Sequence, residues 1–297
     1  MMIEHKFGGD WTEAKLNCLK NYLESYRKIF TSNEKAKYFR TWYVDAFAGT
    51  GERTQKTDQT LKGRLFDEFY ETEDTAKYRS GSVDIALSLL SPFDNYLFVE
   101  KSANYTTQLR AFLASKHPNT ASRIECVSGD ANEKLVAWTK ARNWKKDRAV
   151  VFLDPYGLQV KWETILALGA TNGVDLWYLF PLGLGPLRMI PRDGNIPQGW
   201  SDKLDGLFGT HAWKERFFRP SQQPSLFDEL PQLERQVSAE TVSAFVKERL
   251  ETCFFKVADG LVLYNSKKSP MYLLCFAVSN ERGSVPALRI AKSILEN

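Results

Sequence analysis

Four stretches of this 297-residue sequence bring an acid to the end of an apolar run. The first is Asp45-Ala46-Phe47-Ala48-Gly49-Thr50-Gly51, continuing Thr41-Trp42-Tyr43-Val44. Small residues after a strand let a ligand approach the backbone, and turn amides can face an anion such as a carboxylate. The second is Glu100, after Leu97-Phe98-Val99 and before Lys101; a carboxylate there can hold both hydroxyls of a ribose. The third is Asp130 in Ser128-Gly129-Asp130-Ala131-Asn132, placed to accept from an adenine amino group. The fourth is Asp154-Pro155-Tyr156-Gly157, after Ala149–Leu153. An acid and a ring around a proline suit a planar substrate better than they suit a turn. The candidate ligand-binding residues are Asp45, Phe47, Ala48, Gly49, Gly51, Glu100, Lys101, Asp130 and Ala131, and the candidate catalytic residues are Asp154, Pro155 and Tyr156. Each stretch has a plainer explanation (a tight turn, a solvated acid, a helix cap at Asp130). Their succession along consecutive predicted strands is what favours a binding site.

The elements that would carry these residues are legible as periodicity. Leu16, Leu19, Leu23, Tyr26 and Phe30 make one apolar helical face over 12–31, within an N-terminal region of residues 1–35. Strands are predicted at 41–46, 96–100, 123–128, 148–154 and 174–181, with helices at 102–116, 131–142 and 161–169 between them. Ser82 is expected to cap a helix running to Ser91. This alternation implies an α/β fold with a mostly parallel sheet covered on both faces. Residues 52–80 read as an insertion or lid loop with a short helix near Leu65–Tyr70. Residues 182–237, rich in Pro and Gly, read as a segment inserted after the fifth strand. A helix over 239–252, a hairpin of strands 254–264 and 271–279, and a helix over 285–295 complete a single domain, 1–297.

The net charge is +4, which permits a nucleic-acid partner without requiring one. Cys18, Cys126, Cys253 and Cys275 are not spaced as metal ligands, and His5, His117 and His211 are scattered. No apolar run is long enough for a bilayer, so a reducing cytoplasmic location is expected and no membrane partner. A nicotinamide-dependent oxidoreductase is disfavoured, because residues 47–54 lack a complete Gly-x-Gly-x-x-Gly.

Asp45–Gly51 resembles motif I of class I methyltransferases, and Glu100, Asp130 and Asp154-Pro155-Tyr156 are similar to their ribose, adenine and catalytic motifs. More narrowly, the chain resembles the three-Cys-motif partner protein family. The features are Lys15 and Tyr22-Leu23 in the opening helix, Val44–Gly49, Gly81-Ser82 with Ile85-Ala86-Leu87, and Leu153–Gly157, then Phe208-Gly209-Thr210 with Trp213, and Tyr272–Ala277. The resemblance spans nearly the whole chain. It implies a Rossmann-like class I methyltransferase fold with a seven-stranded sheet whose last strand is reversed. It also implies S-adenosylmethionine as cofactor and a radical-type iron–sulfur three-Cys-motif protein as partner. Departures from the family pattern are Ala46 and Thr50, where Gly and Pro are usual. Amino-methylating enzymes, for their part, typically follow the acid with two prolines and an aromatic, and here the ring at Tyr156 is displaced by one residue.

The expected activity is methyl transfer from S-adenosylmethionine, with an amino group of a nucleic-acid base as candidate acceptor. The alternative is a catalytically degenerate fold that binds the iron–sulfur partner. Residues 183–219 would overhang the site, and Arg188, Arg192, Trp213, Arg216 and Arg219 are the candidate substrate-binding residues, since basic side chains interleaved with rings suit phosphates and bases.

Overall fold

The computed structural model describes residues 11–50, 81–192, 194–220 and 233–296. Its elements follow the predicted alternation closely. Helix α1 (Trp11–Ser32) precedes β1 (Arg40–Asp45), and α2 (Ser82–Leu87) precedes β2 (Asn95–Glu100). Then come α3 (Ala103–Lys116), a 3-10 turn (Pro118–Arg123), β3 (Ile124–Ser128), α4 (Ala131–Ala141), β4 (Asp147–Leu153), α5 (Trp162–Gly169) and β5 (Val174–Phe180).

The main sheet has the order β3-β2-β1-β4-β5, all parallel, followed by β10 (Pro270–Val278) running antiparallel to β5. This is the Rossmann-like class I methyltransferase arrangement, with the order reversing beside β1. Ligands bind at the carboxyl edge of such a switch point. The predicted strand 254–264 is divided into β8 (Lys256–Val257) and β9 (Leu261–Tyr264), so the sheet counts eight segments instead of seven. Both pieces pair with the same edge of β10, and the register slips by one residue between Ala277↔Val257 and Leu274↔Leu261. A bulge of this kind bends an edge strand without ending it.

The central strands read as nearly continuous apolar runs because both faces are buried. Along β4, Ala149, Val151 and Leu153 face one core, while Val150 and Phe152 face the other. The first core is closed by α4, α5 and the elements after β5; the second by α1, α2, α3 and α10 (Ser284–Leu295).

Residues 182–237 are more structured than a Pro- and Gly-rich composition suggests. Their described part forms α6 (Pro186–Met189), α7 (Gln198–Phe208), α8 (Trp213–Phe217) and a ribbon of β6 (Phe218–Pro220) with β7 (Leu233–Arg235). Helix α9 (Ala239–Glu251) follows, capped by Ser238 through the Thr241 N–H. Arg235 fastens the segment by donating to the carbonyls of Leu187, Ile190 and Val237. No helix among the described residues is long and apolar enough to cross a membrane. The predicted loop 52–80, its helix near Leu65–Tyr70, and Gly51 lie outside the described residues.

Helix α1 lies along one face of the sheet and is tied to both ends of it. From Lys15 to Arg27 it rises ~18 Å, close to the ~20 Å of a six-residue strand. Lys15 bonds Asp154 beyond the carboxyl end of β4, Tyr22 donates to Asp175 at 2.6 Å near the start of β5, and Arg27 donates to Thr41 near the start of β1. Burial pushes the Asp175 carboxyl up to about 7, against the opposing pull of the Tyr22 hydroxyl and of Arg148. A carboxyl raised in the folded state binds more protons there than in the unfolded chain. Its contribution is therefore complete near pH 4 and is lost as pH rises towards 7. The loss is on the order of 4 kcal/mol at full effect. Urea unfolding across pH 4–8 should show stability falling through this window. Asp175→Asn, which keeps an acceptor for Tyr22 and cannot ionise, should flatten the fall; an unchanged slope in the variant would reject this assignment.

Candidate active site

The carboxyl ends of β1, β2, β3 and β4 bring the predicted acidic stretches to one edge of the sheet. At the end of β1 the chain turns through Gly49, whose φ of +60° lies in the left-handed region where a side chain is strained. Among the described residues a Cβ at this position would meet nothing within 4 Å, so the glycine serves the turn rather than a close approach. The Ala48 N–H donates to the Val99 carbonyl at 3.0 Å, which fastens the turn to β2.

Asp45 was predicted as a ligand-binding residue, but the structure makes it an internal brace. It is 0 % exposed, and its oxygens accept from the Ser82 hydroxyl, the Tyr43 hydroxyl and the Phe47 N–H. Burial raises its carboxyl to about 6, with the Ser82 and Phe47 bonds pulling the other way and the charge of Asp154 adding to the rise. Ser82 is correspondingly not the cap of α2. Gly81 occupies that position, and the serine hydroxyl is spent on Asp45.

Glu100 sits where the sequence places it, at the last residue of β2. One oxygen accepts the Gly49 N–H at 3.0 Å and the other the Ser102 N–H at 2.7 Å. The carboxylate thus links the β1 turn to the start of α3. Its neighbour Lys101 is exposed. Asp130 acts as the N-cap of α4, accepting through Oδ1 from the N–H groups of Asn132 and Glu133. Burial tends to raise its carboxyl, but these bonds and the Asn132 amide outweigh it, so the group lies below its usual range. Oδ2 carries no bond among the described residues. Cap and ligand acceptor are compatible roles for one carboxylate. Ala131 is buried beside it, Ala48 is buried in the β1 turn, and Phe47 is half-buried against the core.

Beyond β4, Pro155 is buried and Tyr156, two residues after Asp154, is 66 % exposed. Asn132 holds this turn in place. Its amide donates to the Gln159 carbonyl, its oxygen accepts from the Lys161 N–H and the Thr164 hydroxyl, and Gln159 in turn accepts the Tyr156 N–H. Sequence reasoning named Asn132 only as part of the third stretch. Its role depends on contacts 27 to 32 residues away.

Lys15 is the residue that sequence reasoning missed at the site. Its side chain is 2 % exposed, and its ammonium pairs with Asp154 Oδ2. The local signal is its spacing, four residues before Leu19 and seven before Tyr22, which puts it on the buried face of α1; the usual exposure of lysine masks that signal.

One of the predicted substrate-binding residues requires correction. Trp213 is 0 % exposed, with its indole N–H bonded to Asp205, and it packs in the core shared by α7 and α9, so it cannot stack on a base. Arg216 is engaged with Glu248 of α9 in a surface ion pair. Arg188, Arg192 and Arg219 are exposed. Among the described residues no group of His, Cys, Asp and Glu could hold a metal ion.

No family model matches the chain, and no curated protein does. Among solved structures, Trm1 from Pyrococcus horikoshii with S-adenosyl-L-methionine is 12% identical with a TM-score of 0.44, over 99% of this chain and 64% of that one. A putative S-adenosylmethionine-dependent methyltransferase from Listeria monocytogenes is 11% identical with a TM-score of 0.36, covering 87% and 99%. The putative methyltransferase yhhF from Escherichia coli is 13% identical with a TM-score of 0.31, covering 86% of each. These likenesses concern the arrangement of elements, which the strand order and register establish independently.

Proposed function

We propose that this protein is an S-adenosylmethionine-dependent methyltransferase whose acceptor is an amino group, with nucleic-acid bases the first acceptor class to try. The observation that carries the reading is the placement of Glu100, Asp130 and Asp154 at the carboxyl ends of β2, β3 and β4, parallel strands that stand on either side of β1 and its glycine turn. Glu100 would hold the ribose hydroxyls, Asp130 the adenine amino group, and the 46–50 turn the amino-acid end of the cofactor.

The cofactor supplies an electrophilic methyl group when bound, so the chain's own task is alignment. Asp154 and the Pro155 carbonyl would accept the hydrogens of the acceptor amine and keep its lone pair directed at the methyl carbon. Once the amine carries the methyl it would have one proton to lose, and Asp154, as acceptor of its hydrogen bond, would take it. Tyr156 would stack on a planar acceptor. A base within a duplex must first be flipped out, at a cost of a few kcal/mol.

The test is calorimetric titration of S-adenosylmethionine into the protein, followed by transfer of labelled methyl to pools of single-stranded DNA and RNA oligonucleotides. Binding at micromolar Kd with label in the oligonucleotides supports the reading; binding without transfer to any oligonucleotide removes the nucleic-acid acceptor. Arg188, Arg192 and Arg219, all exposed, would make the contacts to the nucleic-acid backbone. Replacing all three with Gln should weaken oligonucleotide binding and reduce the salt slope by about 2 to 3. An unchanged slope would show that this surface merely faces water.

One observation favours the second reading, a degenerate fold that binds the three-Cys-motif partner: Asp154 already has an internal cation in Lys15. Cofactor affinity without turnover, combined with capture of that partner, would select it.

A further inference from the structure

Burying an ammonium is costly unless it is paired. Lys15 meets that cost at one particular place, across 139 residues of sequence, on the acid that the proposed transfer requires. The same ammonium lies 5.0 Å from the centre of the Trp11 ring, and that ring stacks at 5.0 Å on Tyr272 of β10. The first turn of α1 is thereby held over the carboxyl edge of the sheet. Tyr22–Asp175 and Arg27–Thr41 anchor the helix further along, so this pair is one of three ties between α1 and the sheet among the described residues. The Asp154 side chain remains 23% exposed. Its Oδ2 is taken by Lys15, and Oδ1 has no bond among the described residues.

We infer that Lys15 is the positioning residue for Asp154: it holds Oδ2, fixes the plane of the carboxylate, and leaves Oδ1 to meet the acceptor amine. This rests on the methyl-transfer reading above. It also resolves the apparent conflict in that reading, since an acid held by one oxygen is oriented rather than blocked. The charges of both Lys15 and Asp154 act on Asp45 at the end of β1.

The test uses full-length protein labelled with 15N-lysine. A buried, paired ammonium exchanges slowly and gives a resolved signal, assigned by its absence in Lys15→Arg. S-adenosylmethionine should shift the Lys15 signal, and its demethylated product should shift it less, because the product lacks the sulfonium charge. With an oligonucleotide acceptor, Lys15→Met should lower kcat about 100-fold, as expected for a misplaced catalytic group, and leave the cofactor Kd nearly unchanged. Lys15→Arg should restore most of the rate. Cofactor binding that leaves the ammonium signal unmoved would overturn the inference and spare the methyltransferase reading. So would full activity in Lys15→Met, or equal loss in both variants. Absence of calorimetric binding would end both. Should Lys15→Met not fold, or no oligonucleotide accept methyl, the ammonium response decides alone.

Discussion

Glu100→Ala is expected to weaken S-adenosylmethionine binding at least about 100-fold, because hydrogen bonds to a charged group contribute roughly 1.5–3 kcal/mol each and two ribose hydroxyls would lose theirs. The same substitution frees the Gly49 and Ser102 N–H groups from their acceptor, so the β1 turn also loses a brace. Glu100→Gln separates the two effects. It keeps one strong acceptor and the shape of the side chain, and its affinity should fall between those of the wild type and Glu100→Ala. Calorimetry on all three proteins, with a thermal melt to confirm folding, makes the comparison. Equal affinity in wild type and Glu100→Ala would remove Glu100 from the cofactor site, and its bonds to Gly49 and Ser102 would then be its whole function.

The second large effect is expected at Asp154. Asp154→Ala should reduce methyl transfer by about 100- to 1000-fold, the range seen when one preorganised electrostatic contact is removed from a reacting group. Cofactor affinity should change little, because the residues assigned to the cofactor lie on β1, β2 and β3. Truncation also leaves the Lys15 ammonium buried without its partner, a situation that typically costs several kcal/mol. Asp154→Asn is therefore the companion variant. It preserves an acceptor oxygen near Lys15 but places a donor beside the amine. Single-turnover kinetics at saturating cofactor should show both variants slow, with Asp154→Asn the more stable on denaturant unfolding. Joint loss of cofactor binding and transfer would move Asp154 from the acceptor side of the site to the cofactor side.

The pH dependence argued for Asp175 bears on how such experiments are arranged. Asp45 is raised in the same direction, to about 6, and adds to the fall in stability from acidic towards neutral pH. Variants near α1 are best compared at one fixed pH, so that loss of packing is not confused with ionisation of these two acids.

The sequence by itself determined the strand–helix alternation, and with it the sheet. Strands such as 148–154 are largely apolar on both faces and alternate with helical segments, a combination suited to covered parallel strands. It also determined that Glu100, Asp130 and Asp154 would lie at strand ends, because position within a parallel strand is a local property. Tertiary structure decided what those acids touch. That Asp45 is fully buried, that Ser82 serves it instead of capping a helix, and that Asn132 ties two loops together all depend on contacts between distant segments. Trp213 shows the limit most clearly. Its neighbours Lys214, Glu215 and Arg216 are exposed, and nothing in so short a helix tells which side meets the core. Lys15 is the converse case. A long aliphatic stem lets a charged residue sit on a buried helical face, provided that a counter-charge waits at its tip. Where that counter-charge lies is set by the packing of α1 along the sheet, 139 residues from it in sequence.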